Sequence, residues 1–299
     1  MPCLMVCRAA LLKSDFALLQ LQPRGAGAKV RKSVLRLFYS RRRNGEINFG
    51  DDISPLLVAR LTGRQVVHAR VSGCDLAAIG SIVEMIAERR WKRLLRLRLT
   101  PVSIWGSGCL TGGGGVSDAL VAPLALRGPL TAQRLGNRHP VPFGDPGLLF
   151  DRLHRPTGPK RFHWGIVLHY RDAASDLGAR LLAGTPQATL IPVNGDPLET
   201  LRRIGDCAQI VSSSLHGLVA ADCFGLPNWR LRMLDAPEDP DFKFRDYAAA
   251  IGRADIAATD APSDGRLDPL FRAEDGDFGY FRALPAVADC LEAALCSRF

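Results

Sequence analysis

The sequence predicts an α/β fold of two Rossmann-like, doubly wound domains facing a cleft. Three observations carry this. Apolar runs of strand length alternate with segments of helix length, the pattern of parallel sheets joined by βαβ crossovers. A polar stretch from Arg152 to Lys160 contains Pro156, Gly158 and Pro159, and the alternation restarts beyond it. The chain has 299 residues, enough for two cores of ordinary size. The expected division is an extension over 1–32, an N-terminal α/β domain over 33–155 and a C-terminal α/β domain over 156–299 that ends in a helix.

In the extension, the apolar start is broken by Arg8, Lys13 and Asp15, and no small-residue cleavage site follows. Val34 to Tyr39 reads as the first strand. After a basic loop, Asp51, Asp52 or Ser54 is placed to start a helix, with Pro55 in its first turn and Thr62-Gly63 as its stop. Leu76 to Val83 is apolar and carries Gly80 and Ser81. Arg89 to Arg98 is a dense basic run. It reads first as a solvated face with a few buried leucines, and second as a contact for a membrane surface or an anionic polymer. Pro101 to Trp105 is a strand running into the glycine-rich loop Gly106 to Gly115. That loop departs from the dinucleotide fingerprint, because the third glycine position, 111, is threonine. It reads instead as a flexible loop that lets backbone approach a substrate. Leu120 to Arg127 is a strand, Gly128-Pro129 turns the chain and Thr131 to Leu135 starts a helix. Asp145-Pro146-Gly147 reads as a turn.

The second half repeats the alternation. His163 to Tyr170 is a strand with His169 at its end, and Asp176 to Ala183 a helix. Ala188 to Val193 is a strand and Pro197 to Ile204 a helix. Cys207 to Val211 is a strand, Leu218 to Phe224 a helix stopped by Gly225 and Pro227, and Asn228 to Met233 a strand. Lys243 and Arg245 then stand among aromatic residues, and Leu284 to Cys296 forms an amphipathic helix.

With 47% hydrophobic and 23% charged residues, the composition is that of a soluble globular protein. A net charge of +9 points to anionic partners. No Cys-x-x-Cys pair occurs, so the eight cysteines read as reduced core residues of a cytoplasmic protein. The histidines are isolated, and neither a metal constellation nor a cofactor motif is expected. No apolar run reaches the ~18 to 20 residues of a membrane span.

The stretch from Cys207 to Asn228 reads as strand, sharp turn, helix and stop. Ser212, Ser213 and Ser214 are placed to cap the helix. His216 falls in its first turn, where free N–H groups and the helix dipole favour an anion. A satisfied structural histidine fits the same pattern.

Asn48 to Asp52, Ala78 to Ser81, Trp105 to Gly108, Leu126 to Thr131, Gly144 to Leu149, His169-Tyr170, Ser213 to Gly217 and Phe224 to Asn228 recur in a characteristic order and spacing. Together they resemble the polysaccharide pyruvyl transferases, which build cyclic pyruvate ketals in exopolysaccharide assembly. The resemblance implies a glycosyltransferase-B-like fold, with the N-terminal domain on the acceptor side and the C-terminal domain on the donor side. It implies phosphoenolpyruvate as donor, a saccharide or lipid-linked oligosaccharide as acceptor, no cofactor and no nucleic-acid partner. It fits a cytoplasmic enzyme, with association at the periphery of the inner membrane as a further expectation. Arg127 matches the family's donor-binding arginine and His216 its histidine in the Ser-x-x-His-Gly turn; with them Asp51 is a candidate catalytic base or acceptor-binding residue, a position that a plain helix cap fits equally. Lys243, Ser214, Leu215, Gly217, Gly108, Asn48 and His169 are expected to bind substrate, with Arg230 and Arg232 as rivals of Lys243. Two other functions stand beside this one: a nucleotide-sugar glycosyltransferase, and a non-catalytic module that binds polyanions.

Overall fold

The computed structural model describes residues 34–42, 44–232, 234, 239–254 and 256–299. The expected extension over 1–32 lies outside the described residues. Two parallel sheets are present. The first contains β1 (Leu35–Phe38), β2 (Val66–His68), β3 (Leu76–Ala77), β4 (Val102–Trp105) and β5 (Val121–Ala125), in the order β2-β1-β3-β4-β5. The second contains β6 (Phe162–Val167), β7 (Ala188–Leu190), β8 (Cys207–Ser212) and β9 (Asn228–Arg230), in the order β7-β6-β8-β9. Every residue of β4 is buried, as a central parallel strand covered on both faces requires.

Helices cover the sheets. α1 (Phe49–Asp52) and α2 (Ser54–Thr62) follow β1; α3 (Val83–Glu88) and α4 (Trp91–Leu94) follow β3; α5 (Pro129–Arg134) follows β5. α6 (Leu177–Gly184), α7 (Pro197–Gly205) and α8 (Leu215–Cys223) serve the second sheet; α9 (Phe242–Ile251) and α10 (Leu284–Cys296) follow it. Local signals set their ends. Pro55 sits in the first turn of α2, and Gly63, at φ 61°, ends it in the left-handed region. The Asp196 carboxylate accepts from Leu198 and Glu199 N–H at the start of α7.

Both sheets are wound alike. The first strand of each has the second on one side and the third on the other. The winding therefore reverses between β1 and β3, and again between β6 and β8. Crevices for ligands open beyond the carboxyl ends of strands at such reversals.

The two sheets are joined by one continuous apolar core, in which Leu37, Phe49 and Leu57 belong to the same cluster as Ile191, Leu215 and Leu218. The end of the chain returns to the first sheet. α10 packs there, and the Trp105 indole donates to Leu291 O at 2.7 Å. α9 bridges the halves: Asp246 accepts from Thr131, while the Tyr247 hydroxyl donates to Asp222 at 2.8 Å.

The glycine-rich loop differs from the flexible loop expected. Leu110 and Thr111 donate from their backbone to Glu84, Gly112 donates to Asp239, and Arg134 pairs with Glu84. Carboxylates distant in sequence tie the loop down. The thiols of Cys74, Cys109 and Cys207 are buried and free, as expected of core residues. Cys223 is half-buried and Cys296 exposed, which departs from the reading of all eight as core residues, and Cys3 and Cys7 lie outside the described residues. Among the described residues no helix is long and apolar enough to cross a membrane.

Candidate active site

The carboxyl ends of β1, β3, β6 and β8 bring the expected site residues towards one another. α1 follows β1 and is stapled to the second half by Phe49 N–H, which donates to Val193 O at 2.8 Å. Asn48 precedes it. Its backbone N–H donates to Asp52 and its side-chain amide to Asp51 Oδ2, at 2.8 and 2.6 Å. Gly50 lies directly on His216: a Cβ built there would sit 1.8 Å from His216 Nδ1. Gly80, at φ 120°, lies over Asp51 in the same way, with 2.8 Å between its Cβ position and Oδ1. Burial pushes the Asp51 carboxyl up to about 6, against the pull of His216, the Asn48 hydrogen bond and Lys243.

His216 stands in the first turn of α8. The serines before it do not cap the helix as expected. Ser214 occupies the N-cap position but makes no side-chain cap. The Ser212 hydroxyl instead lies 2.8 Å from the carbonyl oxygens of Val167 and Ser214. The Ser213 hydroxyl donates to Asp172 at 2.5 Å and accepts from His169 N–H at 2.9 Å. The Ser212 and Ser213 hydroxyls are thus engaged elsewhere, Ser212 Oγ also accepting from Ser214 N–H at 3.0 Å, and among the described residues the N–H groups of Leu215, His216 and Gly217 have no side-chain acceptor. Leu215 is buried, which leaves its backbone as its polar contribution. Gly217 is packed on Ser212 Oγ and Val167, where no side chain fits.

The His216 ring meets a carboxylate that sequence reasoning missed. Asp145 Oδ2 lies 3.6 Å from His216 Nε2, with the two side chains 1% and 13% exposed. Neither atom has a hydrogen-bond partner among the described residues. Asp145 Oδ1 is occupied by Gly147 N–H, at the start of the 3-10 turn Pro146–Arg152. The Asp-Pro-Gly sequence reads as a turn, which it is. The usable signal was an acidic residue two positions after Phe143, which pairs in parallel with Leu126 beyond the end of β5.

Lys243 is half-buried in the first turn of α9. Burial, with Arg127 and Arg230 nearby, lowers its ammonium to about 8. Among the described residues it forms no ion pair. Its rivals do: Arg230 is buried against Asp241 and Phe244, and Arg232 holds Asp260. Burial, followed by the charges of Lys243, Arg171, His216 and Arg42, drives His169 down to about 3, so its ring is neutral at pH 7. Its Nδ1 accepts from Arg171 N–H at 3.4 Å, which puts the ring proton on Nε2.

Arg127 is placed differently from these groups. It is 1% exposed, and its Nε donates to Asp246 Oδ2 at 3.1 Å. Its two terminal nitrogens donate to Ser81 Oγ and Cys109 O. Gly108 lies against the guanidinium, where a Cβ would be 2.2 Å from Cζ. The structure therefore gathers Asn48, Asp51, His169, His216 and Lys243, whose charged groups act on one another. It sets Arg127 in the wall behind Lys243, where its charge is felt. Asp246, which fixes Arg127, stands three residues after Lys243 and carried no sequence signal of its own.

The arrangement offers an uncapped helix start and an ammonium for an anion, a carboxyl that titrates near neutrality, and a histidine steered by a buried carboxylate. Among the described residues no group of three His, Cys, Asp or Glu side chains is disposed to hold a metal ion.

No protein-family model matches the chain. Over 118 residues it is 31% identical to the uncharacterized protein L143 of Acanthamoeba polyphaga mimivirus, covering 38% of this chain and 40% of that protein. Over 129 residues it is 27% identical to the succinoglycan biosynthesis protein ExoV of Rhizobium meliloti, covering 43% of this chain and 40% of ExoV. The match thus spans 40% of the length of these curated relatives. Among solved structures, the protein KP1_0663 from Klebsiella pneumoniae superposes with a TM-score of 0.43 at 12% identity, over 78% of this chain and 94% of that one. The glycosyltransferase SnogD from Streptomyces nogalater superposes with a TM-score of 0.38 at 14% identity, over 86% and 94%.

Proposed function

We propose that this protein is a transferase that moves pyruvate from phosphoenolpyruvate to a saccharide, closing a cyclic ketal across two hydroxyls. The observation that carries this reading is the coincidence, at one pair of strand-end crevices, of an uncapped helix start and Lys243 with the titratable groups Asp51 and His216. A small dianion with a second negative group suits the first pair. Proton transfer suits the second. The partial similarity to a protein named for succinoglycan biosynthesis supports a glycan as acceptor.

The chemistry needs one proton delivered to carbon and two taken from oxygen. Protonation of the phosphoenolpyruvate methylene turns it into a methyl group and leaves the central carbon electron-poor. A sugar hydroxyl adds to that carbon and loses its proton. The bond from carbon to the phosphate oxygen then breaks, phosphate departs, and the second hydroxyl closes the ring with loss of its own proton. In this scheme His216, steered by Asp145, donates to carbon and contacts the phosphate. Asp51, ionised above about pH 6, takes hydroxyl protons. The α8 N–H groups and Lys243 hold the anion, with Arg127 behind them.

Incubation with phosphoenolpyruvate and candidate oligosaccharides tests this. Phosphate release coupled to an acceptor mass gain equal to the ketal is the expected result. Calorimetry separates the alternatives: binding of nucleotide sugars with none of phosphoenolpyruvate would overturn the proposal in favour of a glycosyltransferase. Polyanion binding that survives His216→Ala would favour the non-catalytic module.

A further inference from the structure

The basic run that the cleft chemistry leaves unused has an inverted side-chain arrangement. Two of its arginines, Arg93 and Arg98, point inward. Arg93 is 1% exposed, and its guanidinium gathers three carbonyls: Val71 O and Cys74 O at 2.9 Å each, and Thr100 O at 2.6 Å. Arg98 donates to Gly73 O and to Asp75. Its apolar residues point outward. Trp91, Leu94, Leu95, Leu97 and Leu99 are 52, 48, 74, 89 and 67% exposed. A lone exposed leucine is ordinary, but five large apolar side chains within nine residues form a patch that water disfavours. The two inward arginines fix this presentation. Leu97 is also held at φ 53°, a region a branched side chain avoids, with its tip in solvent.

We propose that residues 89–99 form a docking surface for an anionic lipid bilayer. The occupant follows from charge and chemistry together. Exposed Arg89, Lys92 and Arg96 alternate with the apolar side chains, and no acidic residue lies between Arg89 and Thr100. Tryptophan and leucine entering the boundary of the acyl chains, with cations at headgroup level, is how interfacial segments bind. A nucleic acid would satisfy the cations and leave the leucines in water. The carbonyls held by Arg93 and Arg98 precede β3 and β4, so the patch lies at the amino ends of these strands. The cleft opens at their carboxyl ends, and docking leaves it unobstructed. The surface is independent of the reaction assigned to the cleft.

Flotation of the full chain with phosphatidylcholine vesicles, with and without phosphatidylglycerol, provides the test. The chain is expected to float with the anionic vesicles and to be released by salt. Of the four tryptophans Trp91 is the exposed one, so bilayer contact should blue-shift emission in the parent and not in Trp91→Phe. Lys92→Glu with Arg96→Glu should weaken binding at least about tenfold, given the contribution of each cation near an anionic surface. Leu95→Ser with Leu97→Ser should abolish the bound state that resists salt. All four positions are exposed, so thermal melts should match the parent, and phosphoenolpyruvate binding should be unchanged. Absence of lipid-dependent flotation, or flotation unaffected by both double variants, overturns the proposal. So does a dimer that Leu95→Ser with Leu97→Ser dissociates while vesicles are ignored, which would make the patch an interface between copies.

Discussion

Asp145 Oδ2 faces His216 Nε2 at 3.6 Å, and both atoms are buried without another partner among the described residues. A carboxylate so placed fixes the orientation of the ring. Asp145→Asn keeps the shape and retains an oxygen for Gly147 N–H, but loses the charge. Turnover is expected to fall about 10²-fold, the scale of one general acid or base, with little change in KM. The check is a kcat against KM split beside a thermal melt. A fall in stability with an unchanged kcat would make Asp145 a structural cap alone.

Gly50 has no room for a methyl group, because His216 Nδ1 occupies the position of its Cβ. Gly50→Ala therefore displaces either α1 or the imidazole. A loss of roughly 1–3 kcal/mol in stability is expected from overpacking, together with near-complete loss of activity. Denaturant melts and initial rates measure both. Gly45→Ala provides a control for backbone strain without steric conflict, because nothing lies within 4 Å of its Cβ position while its φ of 78°, unlike that of Gly50, is positive.

The alternating sheets and the strand-end placement of Asp51, His169 and His216 were legible because they depend on local pattern. What escaped depends on contacts between distant residues. Arg127 was placed correctly at the end of β5, but its partner Asp246 lies 119 residues away and turns it into the wall of the site. Ser213 was a sound helix cap by sequence, but its hydroxyl is taken by Asp172. The loop at Gly106 to Gly115 looked slack because glycine is permissive, whereas Glu84 and Asp239 hold it. An amphipathic pattern shows that α10 has a buried face, but not that the face lies against the first sheet.

The Arg127–Asp246 pair, at 1% and 0% exposure, predicts a separation of structural from functional effects. Arg127→Met strands a buried carboxylate and should cost about 3–5 kcal/mol. Pairing it with Asp246→Leu should recover part of that loss, because no unpaired charge remains, although Thr131 N–H and its hydroxyl then lose their acceptor. In Arg127→Met alone, Lys243 loses a neighbouring positive charge, and its ammonium should titrate at higher pH. The basic limb of the rate profile should move upward. Equilibrium melts give the first result and pH–rate profiles the second. A basic limb that stays in place would remove Arg127 from any influence on Lys243.

Asp51 and Lys243 together predict how rate and stability depend on pH. As a base Asp51 works ionised, and as an anion ligand Lys243 works protonated. The kcat/KM profile should therefore rise through about pH 6 and fall through about pH 8. Asp51→Asn should abolish the acid limb along with most activity. Stability carries the opposite signature. The Asp51 carboxyl is raised from 3.8 in the unfolded chain, so its contribution is intact below that value and is lost as pH rises through about 6. The Lys243 ammonium is lowered from 10.5, so its penalty is fully present below about pH 8 and is relieved as pH rises towards 10.5. Both penalties coincide between about pH 6 and 8, where both groups carry the charges the proposed chemistry needs. Denaturation midpoints from pH 4 to 10 measure this. Asp51→Asn should flatten the decline between about pH 4 and 6, and Lys243→Met should flatten the rise above about pH 8. Parent-like slopes in both variants would show that neither group is held against its preferred charge state.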